Sequence, residues 1–265
     1  MSNGERFLDR EPSRRDERWL FIASPIIVLL LWEAAVATHL IDGRFFPPPH
    51  KIFAKIWELA VHEDLHEDVL ASMRRIVVGT AMGFFPGVLL GIGMGLSRWT
   101  RAFFAPLVAL SYPIPKIAIL PLLLIIFGIG EMTNLMVVAI GVFFLSLINT
   151  FDGVRRIPKQ YFEVARVYGV SKRDVFFRIV LPATAPSIFT GLKLGAGYGL
   201  ILIVAAEMIA ARHGLGHRIW NSWETYIITE LYACLFLISL IGIALAFLLE
   251  KLETRIIHWK QKDAD

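Results

Sequence analysis

From Ile76 to Leu96 the chain carries no charged residue. A run of about 18 apolar residues already marks a membrane-spanning helix. Comparable runs recur, and they place the spans at 19–41, 76–96, 102–127, 132–151, 186–210 and 226–249. The reading is an all-α, polytopic membrane protein with six transmembrane helices. A mean hydropathy of +0.60 with only 19% charged residues agrees, since a soluble domain of this size carries more charge and shorter apolar runs.

Charge then sets the orientation. Arg6, Arg10, Arg14, Arg15 and Arg18 precede the first span, and Arg98 and Arg101 lie between spans two and three. Arg155, Arg156, Lys159, Arg166, Lys172, Arg173 and Arg178 crowd the segment before span five, and Lys251, Arg255, Lys260 and Lys262 follow span six. The alternate segments hold only Arg44, Lys51, Lys55, Arg212 and Arg218. Lys and Arg accumulate on the cytoplasmic side, so both termini are expected there. This gives a cytoplasmic segment at 1–18, a transmembrane domain over 19–250 and a cytoplasmic tail at 251–265. Arg74 and Arg75 depart from the pattern. At the outer end of span two they are expected to snorkel to the headgroups, unless the span begins later. The pI near 9.3 reflects these basic loops and does not call for nucleic acid. Ala35-Val36-Ala37 resembles a cleavage site, but the apolar stretch from Trp19 is longer than a signal-peptide core, so the first span is expected to be retained. The lone Cys234 permits no internal disulfide.

Inside the spans, small residues and charges stand out. Gly79, Gly83, Gly87, Gly91 and Gly95 recur every fourth residue, as do Gly191, Gly195 and Gly199. Small residues at this spacing let helices approach backbone to backbone. The third span contains Tyr112-Pro113-Ile114-Pro115-Lys116 and cannot be one regular helix. Broken backbone at membrane depth is tolerated only where protein or a watery cavity satisfies it. Tyr112, Pro113, Pro115 and Lys116 are therefore candidate pathway residues. Intramembrane charges are functional candidates by default: Glu33, Lys116, Lys193, Glu207 and Glu230. Lys116 and Lys193 can offer positive potential to an anion, and Glu207 can pair with one of them to close a gate. For Lys193 and Glu230 an ordinary ion pair or span-end position is the simpler expectation. His62/His66 and His213/His217 share helical spacing, but two histidines alone make a weak metal site, and none is expected.

The segment 158–182 is polar and basic, between two apolar runs. Pro158 suits a helix start, and Gly169 suits a left-handed C-terminal cap. Ser171 can cap a second helix, with Asp174 in a weak capping box, and Leu181-Pro182 should stop that helix. Two short amphipathic helices at a sharp angle are expected. The small Ala165 and Gly169 would let a partner approach closely.

Glu163, Ala165, Gly169, Ile179, Leu181 and Pro182 match the spacing of the cytoplasmic EAA loop in ABC importer permeases, with Val164 where Ala is usual. The chain is identified as a member of that family. Pro113-Ile114-Pro115-Lys116-Ile117-Ala118 and Phe127-Gly128-Ile129-Gly130-Glu131 resemble its nitrate/sulfonate/taurine branch. So do Pro47-Pro48-Pro49, Ser72-Met73-Arg74-Arg75, Ala206-Glu207-Met208 and Gly214-Leu215-Gly216. The resemblance implies a type I importer permease fold in the bacterial inner membrane, translocating a small anionic solute by alternating access. It implies a loop that docks on a separate ATPase subunit, which binds ATP and Mg, so no catalytic residue is expected here. It also implies a second permease copy, as a homodimer, and a periplasmic or lipid-anchored binding protein. No GxxxxGK[ST] occurs in the chain, so its glycine clusters are not phosphate cradles. A scaffold or receptor that borrows the loop, or a secondary transporter, are the alternatives.

Overall fold

The computed structural model describes residues 14–259. The basic residues before Arg14 and the tail beyond Trp259 lie outside the described residues. Helix α1 (Arg14–Ala37) is followed by the short α2 (Pro49–His62) and the long α3 (Leu65–Leu96). Next come α4 (Arg98–Ser111), a 3-10 turn (Lys116–Ile119), α5 (Leu120–Phe127) and α6 (Glu131–Arg155). Helix α7 (Lys159–Val167) precedes α8 (Lys172–Val175), a π-helical turn (Phe176–Val180) and α9 (Leu181–Ala210). Helices α10 (Leu215–Glu224) and α11 (Ile228–Ile256) complete the described fold.

Four of these are long and apolar enough to cross a bilayer: α3, α6, α11 and the continuous stretch Lys172–Ala210. The third expected span is two pieces, Arg98–Ser111 and Lys116–Phe127, bent by 89°. This is the interruption the prolines require. In the first, the described apolar helix is Ala23–Ala37, short of the usual spanning length.

Helices α3, α6 and α9 form the centre. A Cβ on Gly87 would lie 2.6 Å from Phe143 O, and one on Gly91 2.7 Å from Leu147 O. The glycine stripe of α3 thus lies on the backbone of α6, and the two run in the same direction. Gly195 and Gly199 bring α9 onto α6 beside α3, antiparallel to α6, at Val142 and Val138. The buried Ile76, Val138, Val142, Leu202 and Ile203 fill the space between them. Close packing and dispersion hold helices together where lipid is as apolar as the side chains.

Two expectations are corrected. Leu181-Pro182 does not stop a helix: the chain passes through it in one 39-residue stretch, Lys172–Ala210. Proline clashes with the carbonyl four residues earlier. Here the π turn precedes Pro182, and Leu181 N–H reaches back to Phe176 O, so the wider turn accommodates the ring. Arg75 does not snorkel. Helix α3 begins at Leu65, well before the expected start at Ile76, and Arg75 is 4% exposed inside the fold.

Candidate functional site

At one end of the bundle, α7 and α8 meet in an elbow. Gly169 has φ +65°. Its N–H donates to Arg166 O at 3.1 Å, and Val170 N–H donates to Ala165 O at 2.9 Å. These paired bonds form a Schellman cap, in which the left-handed residue is normally glycine. Ser171 Oγ accepts from Asp174 N–H at 3.1 Å and donates to Asp174 Oδ2 at 2.6 Å. The cap forms as expected, but the carboxylate bonds the hydroxyl instead of the Ser171 backbone. The elbow is seated on the C-terminal ends of α3 and α6, where Ile179 and Val180 join Ile92, Val154 and Ile157.

The EAA positions divide by exposure. Glu163 and Gly169 are exposed, Leu181 is at the margin, and Pro182 and Ile179 are half-buried. Ala165 is 5% exposed, so its small side chain serves this chain's own packing. The outward apolar residues are Val164, Val167 and Tyr168, the last two about four-fifths exposed. Beside them is a hollow of about 620 Å³ reaching from Pro158 to Ile179.

The break after α4 lies midway through the bundle. Lys116 is 5% exposed, and its ammonium donates to Ser111 O (2.7 Å), Tyr112 O (3.0 Å) and Ile114 O (2.9 Å). It also sits 4.2 Å from the centroid of the Phe144 ring. Carbonyls freed where a helix ends need donors, and Lys116 supplies them. The expected pairing of Lys116 with Glu207 is not present; distance along the bundle and these carbonyls account for it. Lys193 pairs instead with Glu253, and Glu230 pairs with Arg218 at 3.3 Å.

Glu207 is fully buried at the other end of the bundle. Its carboxylate accepts from Arg75 Nη1 (2.8 Å), Ser72 Oγ (2.8 Å) and Gly216 N–H (3.0 Å). Arg75 also pairs with Glu131 and donates to His213 O at 2.6 Å. Gly214, at φ +128°, has no room for a Cβ, which would fall 2.6 Å from the Glu207 carboxylate. A neighbouring cluster continues the network: Gly214 N–H and Arg218 Nε both donate to Asp68 at 2.7 Å, and Arg218 reaches Glu63 at 3.1 Å. Burial works against the charge of Arg218, but Asp68, Glu230 and Glu63 outweigh it and hold its pKa above the usual value. Asp68, Ser72 and Glu207 thus satisfy the orphan N–H groups that open α10, where negative charge is favoured.

Sequence reasoning missed this network as a unit, although it quoted the parts. The segments Ser72–Arg75, Phe127–Glu131, Ala206–Met208 and Gly214–Gly216 converge here. The available signal was one buried-type arginine and one buried-type glutamate of opposite sign in different spans.

Comparison with known proteins decides the family. Residues 87–258 match the family described as binding-protein-dependent transport system inner membrane component. The chain belongs to that family. This permease is 31% identical to the taurine transport system permease protein TauC of Escherichia coli (strain K12), over 91% of this chain and 89% of that protein. It is 29% identical to the nitrate import permease protein NrtB of Synechocystis sp., over 95% and 97%. An inward-facing structure of the MetNI methionine ABC transporter superposes with a TM-score of 0.60 at 19% identity, covering 72% of this chain and 93% of that one. That likeness shows the fold, a type I ABC importer permease. The chain is a multi-pass, membrane-spanning permease subunit of an ABC importer.

Proposed function

We propose that this permease carries a small anion of the sulfonate or nitrate class inward by alternating access, driven through the elbow at 158–182. The relatives that handle taurine and nitrate support the substrate class. The elbow docks on a separate ATPase subunit that binds ATP and Mg, with Glu163 and Gly169 facing it and Val164, Val167 and Tyr168 filling its groove. Ile179, Leu181 and Pro182 join the docking surface to the transmembrane rod, and Ala165 packs beneath it. Two copies line the pathway as a homodimer, a periplasmic or lipid-anchored binding protein delivers solute at the Glu207 end, and both termini face the cytoplasm of a bacterial cell.

One observation carries the proposal. The elbow is continuous with the stretch Lys172–Ala210, which runs from the docking surface, along the central helix α6, to Glu207 at the far end. Movement imposed on the elbow must move that rod. Glu163→Ala and Gly169→Val should therefore lower ATP-driven uptake and weaken ATPase association while membrane insertion stays normal. Wild-type uptake by both variants in an intact complex would contradict the proposal. Single cysteines near Lys172 should be labelled from the cytoplasm and near Asp64 from outside; the reverse would invert the orientation.

A further inference from the structure

A cleft of about 380 Å³ opens at the break between α4 and the 3-10 turn, walled by Tyr112, Lys116, Phe144 and Tyr198 with Gly141 at its floor. A volume of this order accommodates a small solute. Gly141 and Phe144 are near the midpoint of α6, so the cleft lies at mid-membrane depth.

Lys116 brings a net charge to this cleft. Its nitrogen lies within hydrogen-bond distance of three separate carbonyl acceptors, an arrangement that suits the three N–H donors of an ammonium. Phe144 adds an aromatic face at 4.2 Å and Tyr112 another at 5.9 Å. Dipoles and ring faces hold a cation but do not neutralise it. Among the described residues no carboxylate lies within ion-pair distance of Lys116, whereas Arg75, Lys193 and Arg218 each have at least one. A buried, uncompensated charge beside a cleft creates positive potential there. The half-buried Tyr198 and the exposed Tyr112 add phenol hydroxyls that bond no protein group among the described residues. Hydroxyl donors beside a fixed positive charge suit an oxyanion, and the like charge of Lys116 repels a cation.

We propose that this cleft is the anion-selecting constriction of the pathway, with Lys116 as the fixed charge and Tyr112 and Tyr198 as the hydrogen-bond donors. The proposal rests on the permease reading above and assigns its solute a passage site. Lys116 acts through its field and through the loop geometry it holds, since its protons are already engaged.

The test uses thiol reagents of opposite charge and needs no knowledge of the solute. In the full permease–ATPase complex, the buried Cys234 is replaced by Ala, and Tyr198→Cys or Tyr112→Cys is introduced. Each is treated with the anionic 2-sulfonatoethyl and the cationic 2-trimethylammonioethyl methanethiosulfonates, with rates normalised to a free thiol. The expected result is at least tenfold faster reaction with the anionic reagent at position 198. That preference should fall to about unity on adding Lys116→Met and persist on adding Lys116→Arg, which keeps the charge. Equal or cation-favouring rates in the Lys116 background would overturn the proposal, as would absence of labelling in both nucleotide-free and ATP-bound complexes. Anion preference that survives Lys116→Met would remove Lys116 from the selection. ATPase association, measured on the same preparations, reports separately on the permease reading.

Discussion

The two ends of the bundle solve opposite problems. At the Glu207 end, charged groups from α3, α6, α9 and α10 are matched to one another, and the carboxylate of Glu207 is filled by three donors from this chain. At the elbow end, the buried side is filled but the outer side ends in exposed Val164, Val167 and Tyr168. The first end is complete within one chain. The second leaves an apolar face that this chain does not cover. On the proposed function, the contrast separates residues that hold the permease together from residues that connect it to a motor.

The comparison predicts a large stability effect at one end and smaller ones at the other. Arg75→Met should be the most damaging change, because it leaves Glu207 buried without its ion partner; breaking such a pair costs about 3–5 kcal/mol. The expected result is a sharp fall in membrane abundance and in the thermal unfolding midpoint in detergent. Arg75→Met with Glu207→Leu should recover part of that loss, since apolar packing can replace a buried pair. A double variant no better than the single would show that the pair is not the unit.

Gly169 comes next. Its added Cβ would meet nothing within 4 Å of this chain, so the cost of Gly169→Ala is conformational, about 1–2 kcal/mol for a left-handed residue. Gly169→Asn should cost less, because Asn tolerates that geometry. Thermal midpoints of the two variants, ranked against ATPase association, would show whether the elbow's shape or its surface matters more.

The smallest stability change is expected for Val167→Asp and Tyr168→Ala. Both positions are about four-fifths exposed, and such surface changes usually stay within about 0.5 kcal/mol. Their effect should fall on ATPase capture, measured by co-purification. Unchanged capture in both would remove this face from the docking surface.

What was legible in the sequence followed from locality. The glycine stripe, the cap at Gly169 and the break at Pro113 and Pro115 depend on neighbours a few residues away, and each is present as expected. The Arg75–Glu207 pair spans 132 positions, and no periodicity joins them. Local pattern therefore offers Glu207 the wrong cation and sends Arg75 to the lipid surface. The sequence offers Lys116 both as positive potential for an anion and as a partner for Glu207; the pairing is absent, because a lysine just past a helix end also suits the freed carbonyls. Leu181-Pro182 was read as a stop because proline ends regular α-helices, but a π turn removes the conflict. Ala165 was assigned outward because small residues suit close approach, and burial of that face could not be read from a nine-residue helix alone.

The central claim is that the elbow and the helix through Glu207 move as one body. Inserting two glycines between Val180 and Leu181 cuts that connection while leaving the elbow face and the Glu207 network untouched. ATPase association and ATP-driven uptake should be measured together on the reconstituted complex. The account predicts that association persists and uptake is lost; uptake at the wild-type rate would contradict it.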